Sequence, residues 1–192
     1  MSAPVLIYIH GFQSSPASLK AQQMKQFIRE QRPGIIFECP QMPCFPMAAW
    51  ELIAAIVARY PGHKLGFVGS SLGGYLVTKA SQEFGGNAVL VNPAVRPYEL
   101  LTDYLGENTH PYTNECYRLT SEHMADLKSL EVEPITAPER LWVMLQTGDE
   151  VLDYQQALDK HERSKLTLEQ GGDHSFIGFE RYLGHILRFL EL

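Results

Sequence analysis

Short, mostly continuous apolar runs recur along the chain at Val5–Ile9, 35–39, 65–68, 88–91, 141–145 and 165–168. Runs that stay apolar instead of alternating are what strands covered on both faces require. Between them apolar residues return with helical period. Ala21, Met24, Phe27 and Ile28 form one such face, stopped by Pro33-Gly34. Trp50, Ile53, Val57 and Tyr60 form a second, stopped by Pro61-Gly62, and a third segment, 72–84, ends at Gly85-Gly86. Phe179, Tyr182, Leu183, Ile186, Leu187 and Leu190 make the last helical face. Strand–helix alternation predicts an α/β architecture, a mainly parallel six-stranded sheet with helices on both faces and right-handed crossovers.

One stretch breaks this rhythm. Between Val91 and Leu141 no strand is evident, and five prolines interrupt the segment: Pro93, Pro97, Pro111, Pro134 and Pro138. Residues 99–105 and 121–130 read as helical, the latter with Met124, Leu127 and Leu130 on one side. Connections of this length are usually functional. The expectation is one domain over residues 1–192, with a small helical cap inserted at about 97–138 above the carboxyl edge of the sheet.

Composition narrows the function. A chain of 192 residues can bury a substantial core, and a formal charge of −6 offers no clustered positive charge for nucleic acid or anionic membranes. The run after Met1 lacks a basic flank, is broken by His10, and is far too short to span a bilayer. Cys39, Cys44 and Cys116 cannot all pair with one another and lie in no CxxC, so buried or half-buried free thiols and a reducing cytoplasm are expected.

The chemistry concentrates at Gly69-Ser70-Ser71-Leu72-Gly73, a G-x-S-x-G pattern centred on Ser71. The pentapeptide is short, but it follows a strand and opens a helix, the arrangement that lifts a nucleophilic serine out of the backbone. Ser70 is out of phase with both glycines. A nucleophilic serine needs a base and an orienting acid, which in a sheet of this kind follow in the order Ser, Asp or Glu, His. His174 lies in a Gly171-Gly172-Asp173-His174-Ser175 loop after the last strand and is the candidate base. His161 and His185 fall in helical runs and read as surface residues, while His110 and His123 belong to the insertion. Asp149, first carboxylate after the strand at 141–145, is the candidate acid; Asp153 reads as a helix N-cap and Glu150 as solvent-facing. The oxyanion donors would be the backbone N–H groups of Leu72 and of Phe12 in the turn His10-Gly11-Phe12, with His10 bracing that turn.

With those residues in place the chain resembles the YqiA-type family of small bacterial esterases in the α/β-hydrolase superfamily. The resemblance rests on HGF-x-SSP (10–16), VGSSLGG (68–74), VNPAVRP (91–97), QTGDEVLDY (146–154) and the GG-x-H loop. It implies the α/β-hydrolase fold, trimmed of two leading antiparallel strands, an esterase activity extending to thioesters, and Ser71, Asp149 and His174 as the triad.

The leading expectation is therefore a serine hydrolase that cleaves small acyl esters or thioesters through an acyl-enzyme, with no metal or organic cofactor. A peptidase or amidase on the same triad, and a catalytically silent binding module, remain the alternatives. Arg96, near the start of the insertion, reads as a structural ion-pair partner.

Overall fold

The computed structural model describes residues 2–192. Its main sheet contains β1 (Val5–Ile9), β2 (Ile36–Glu38), β3 (Leu65–Ser70), β4 (Asn87–Val91), β7 (Leu141–Gln146) and β8 (Lys165–Glu169). These run in the order β2-β1-β3-β4-β7-β8, and every neighbouring pair is parallel. All six apolar runs became strands. The central ones are buried on both faces, which is why their sequences do not alternate.

Successive strand residues point to opposite layers, and the helices divide accordingly. Val5, Ile7, Ile9, Phe67, Leu90 and Val143 pack against α2 (Pro46–Ala58), α3 (Leu72–Phe84) and α5 (Ser121–Ser129). Leu6, Tyr8, Val68, Val89, Trp142 and Met144 pack against α1 (Leu19–Gln31) and α7 (Leu183–Leu190). Ala21, Met24 and Ile28 are the buried face of α1, and Leu183, Ile186, Leu187 and Leu190 that of α7, each at helical spacing. The α/β-hydrolase architecture expected from the sequence is the one observed.

The insertion corrects the expectation of an all-helical cap. It begins with α4 (Pro97–Leu100) and a 3-10 turn (Leu101–Tyr104), continues through a two-stranded antiparallel hairpin, and ends with α5. The hairpin strands are β5 (Gly106–Thr109) and β6 (Cys116–Leu119). In β6 Tyr117 and Leu119 are buried while Cys116 and Arg118 are exposed, a period-two pattern carried by only four residues. That is too short to stand out beside Pro111 and the polar residues of the turn, where Asn114 adopts a left-handed φ of 59°. Helix α6 (Tyr154–Lys160) joins β7 to β8.

Candidate active site

Ser71 stands where β3 turns into α3, at φ 55° and ψ −120°. A non-glycine residue is strained in this region, and such strain collects where a side chain must be held out of the chain's path. The turn is pinned by Ser71 N–H donating to the Val91 carbonyl (3.1 Å), while the Ser71 carbonyl accepts from Gly74 N–H (2.9 Å) and Ala94 N–H (3.1 Å). Both motif glycines are sterically required. A Cβ on Gly69 would lie 2.3 Å from the Gly73 carbonyl oxygen, and one on Gly73 would lie 2.0 Å from that of Ile9. Ser70 is buried at the strand end, outside the cleft that Ser71 faces.

That cleft, about 360 Å³, is lined by Ser71, Leu72, Phe12, His174, Val151 and Leu152, among others, with Leu100, Leu101, Asp103 and Tyr104 contributed by the insertion. It sits outside the carboxyl ends of the strands, where open parallel sheets place their ligands. The β3, β7 and β8 ends thus deliver Ser71, Asp149 and His174 to one region, although they are far apart in sequence.

Asp149 follows β7, and its carboxylate meets His174 Nδ1 at 2.8 Å through Oδ2 and 3.0 Å through Oδ1. Oδ1 also accepts the N–H groups of Val151 (2.9 Å) and Leu152 (2.8 Å). The Asp149 side chain is only 2 % exposed. Burial pushes its carboxyl pKa up, but the His174 hydrogen bond and the two backbone N–H groups outweigh it, and the net value falls below the ordinary carboxylate range. The group is therefore ionised and aimed at one imidazole nitrogen, which leaves Nε2 for the cleft. Ser71 and His174 line the same cleft without a direct hydrogen bond between them.

The other sequence-derived candidates resolve individually. Asp153 caps α6 by accepting from Gln155 N–H (3.0 Å). Glu150 is exposed, yet it does not merely face solvent, since its carboxylate accepts the backbone N–H of His174 at 3.0 Å. His161 corrects the surface reading: it is 2 % exposed at the end of α6, and burial lowers its pKa to about 4. It stands at the C-cap of α6, where helical period no longer tells which side of the chain is covered. His185 is exposed as expected. Cys116 is exposed rather than half-buried, because it occupies an outward position of β6. Arg96 pairs with Glu99 at 3.7 Å and does not line the Ser71 cleft.

On the opposite side of Ser71, His10 is 3 % exposed and ties two loops together. Its Nδ1 donates to the Gly11 carbonyl (2.9 Å), and its Nε2 accepts from Met42 N–H (3.1 Å). Burial lowers its pKa, against the opposing bond to Gly11, so the ring is neutral. The turn it braces brings Gly11 against Ser71, where an added Cβ would lie 3.2 Å from the serine Cβ. The N–H groups of Phe12 and Leu72 have no hydrogen-bond acceptor among the described residues. Both residues also wall a second, narrow cavity of about 30 Å³, whose other walls include Leu101, Met124 and Leu127. The Phe12 ring meets Tyr104 edge-on at 5.1 Å.

Sequence reasoning passed over Asn92 and Gln146, two buried amides at the ends of β4 and β7 that hydrogen-bond the loop of His174. The signal was present: each is an uncharged polar residue directly after an apolar run.

The fold recurs widely. Est1E from Butyrivibrio proteoclasticus, in a structure with ferulic acid bound, superposes with a TM-score of 0.75 at 15% identity, covering 98% of this chain and 88% of that one. A putative hydrolase from Agrobacterium vitis S4 gives 0.73 at 21% identity with the same coverage. Mouse alpha/beta hydrolase domain-containing protein 10 gives 0.69 at 20% identity, covering 98% and 90%. The model of the uncharacterised protein family UPF0227 matches residues 5–191, and the chain belongs to that family.

Proposed function

We propose that this member of the UPF0227 family is a serine hydrolase that cleaves carboxylic esters, and acyl thioesters by the same route, through an acyl-enzyme on Ser71. One observation carries the reading: a serine strained out of its strand-to-helix turn shares a cleft with an imidazole whose far nitrogen is held by the buried carboxylate of Asp149. In this mechanism Ser71 Oγ attacks the acyl carbon while His174 Nε2 removes its proton. Asp149 keeps the remaining proton on Nδ1 and stabilises the imidazolium. The oxyanion is received by the N–H groups of Phe12 and Leu72. Collapse breaks the bond to the leaving alcohol or thiol, which takes the proton from His174. Water, deprotonated by the same nitrogen, then releases the acid and restores Ser71.

The insertion at 97–138 acts as a cap that sets acyl preference, because Leu100, Leu101 and Tyr104 wall the cleft and Met124 and Leu127 wall the cavity that shares Phe12, Leu72 and Leu101 with it. No helix among the described residues is long and apolar enough to cross a membrane. Three free cysteines suit a reducing cytoplasm.

The deciding experiment is labelling with a fluorophosphonate probe, alongside hydrolysis of acyl esters, thioesters and amides. Wild type should be labelled at Ser71 and should hydrolyse esters. Ser71→Ala should lose both while retaining the wild-type melting temperature. Labelling that persists in Ser71→Ala would move the nucleophile elsewhere, and a folded wild type that resists labelling and cleaves no ester would make the chain a binding module.

A further inference from the structure

We infer that Asn92 and Gln146, with Glu150 on the outside, are positioning residues that place the His174 imidazole by gripping the backbone of its loop. The inference rests on the serine hydrolase reading above. None of the three lines the Ser71 cleft, so each acts through the loop and not on the substrate.

Asn92 follows β4 in a left-handed conformation, φ 41°, and is 2 % exposed. Its backbone N–H donates to the Met144 carbonyl (2.9 Å), which fixes the residue between two strand ends. The side chain then uses its hydrogen-bonding groups on both sides. Nδ2 donates to the carbonyls of Asp173 (3.0 Å) and His174 (3.2 Å), and Oδ1 accepts from Gln146 N–H (3.0 Å).

Gln146 ends β7 and is 3 % exposed. Its Oε1 accepts from the N–H groups of Asp173 (3.2 Å) and Ile177 (2.9 Å). Its Nε2 donates to the Ile177 carbonyl and to Glu169, each at 2.8 Å. Glu169, at the end of β8, is in turn bonded by Tyr182 and Arg181. The remaining backbone group of His174, its N–H, is taken by Glu150. Thus both N–H and C=O of residues 173, 174 and 177 are held by side chains from two neighbouring loops and strands.

Such saturation is not needed to cover the sheet edge. A loop there could turn to water, as most do. The grip also excludes alternatives: Gly172 has φ 74°, and a Cβ on it would fall 1.9 Å from Gln146 Oε1. The double glycine before His174 leaves space for the amide that holds the histidine. This accounts for two segments the triad alone does not explain, the Asn in VNPAVRP and the Gln in QTGDEVLDY.

The consequence is catalytic. His174 has one nitrogen fixed by Asp149, and its reach to Ser71 depends on where the loop backbone stands. A misplacement of about 1 Å in a reacting group can lower rate by about 100-fold. Asn92→Ala and Gln146→Ala should therefore lower kcat for p-nitrophenyl esters by about 10- to 100-fold with KM little changed. The downfield proton resonance of the His174–Asp149 hydrogen bond should broaden or vanish in both. Because buried amides can also matter for folding, Glu150 supplies an exposed test: Glu150→Ala should lower kcat in a protein of wild-type melting temperature, and Glu150→Gln, which keeps an acceptor oxygen, should recover most of the loss.

Wild-type labelling by a fluorophosphonate separates this idea from the reading beneath it. If wild type is labelled at Ser71, yet folded Asn92→Ala or Gln146→Ala and Glu150→Ala keep wild-type kcat and the downfield resonance, the positioning role is wrong. Equal losses in Glu150→Ala and Glu150→Gln would also overturn it, by showing that charge and not the loop contact matters. If wild type is not labelled at all, the hydrolase reading and this inference fail together.

Discussion

Replacing Asp149 by Asn tests the acid assignment by a route the geometry makes specific. An Asn side chain has one acceptor and one donor end. At position 149 the inner oxygen, Oδ1, already accepts two backbone N–H groups, from Val151 at 2.9 Å and Leu152 at 2.8 Å. The amide oxygen of Asn must settle there, because an NH₂ group would set donors against donors in a buried site. The NH₂ end then faces His174 Nδ1, where Oδ2 now stands at 2.8 Å. A donor at that place requires Nδ1 to accept, so the imidazole proton moves to Nε2 and the base can no longer take the proton from Ser71. In a well-studied serine protease the same tautomer error lowers kcat by about 10⁴, which is about 5.4 kcal/mol of transition-state stabilisation. Asp153→Asn provides the control: its role is to accept from Gln155 N–H, Asn caps a helix as well as Asp, and kcat should stay within about twofold of wild type. The assay is kcat on p-nitrophenyl acetate at neutral pH, with near-UV circular dichroism to confirm folding. An Asp149→Asn protein that retains more than about a tenth of wild-type kcat would refute the reasoning, and the opposite ranking would place the acid at Asp153.

Acid unfolding should carry the signature of the same carboxylate. Asp149 is held below its ordinary pKa, so its contribution to stability is complete above the unfolded value near 4 and is lost as pH falls through the depressed folded value. Urea midpoints measured from pH 7 down to pH 3 should fall less steeply in Asp149→Asn than in wild type; parallel curves would show that the carboxylate is not specially stabilised. Gly73→Ala places a Cβ 2.0 Å from the Ile9 carbonyl oxygen in the centre of the sheet. It should cost toward the upper end of about 1–3 kcal/mol by urea titration and abolish probe labelling, since neither strand nor helix can yield. Leu127→Ala and Met124→Ala open the narrow cavity behind Phe12 and Leu72, at about 2–5 kcal/mol of stability. They should favour longer p-nitrophenyl esters over short ones by about 10-fold or more per accommodated methylene; an equal change for all esters would make the insertion scaffold only.

What the sequence reveals follows from the range over which each residue's role is decided. The strands were legible because a residue such as Ile7, covered on both sides, leaves no polar alternation in its neighbours. Ser71 was legible because its constraints are local: Gly69 and Gly73 are excluded from bearing side chains by contacts within the same turn and the strand beside it. Asp149 and His174 could be placed by chain order and by their position just past strand ends, although their hydrogen bond spans 25 residues. The β5–β6 hairpin was hidden because four residues of alternation in Cys116–Leu119 resemble an ordinary loop. Asn92 and Gln146 were hidden for a different reason. Asn92 reaches residues 81 and 82 positions away, and Gln146 reaches others 27 and 31 away, so nothing near either one announces its partners. Yet both occupy the same kind of place, an uncharged amide set immediately at the carboxyl end of a strand buried on both faces. A side chain there has little water to bond with and must find backbone groups of the loops that leave the sheet. In a parallel sheet those loops carry the chemistry, so a buried amide at such an end is a readable sign of a loop held in place.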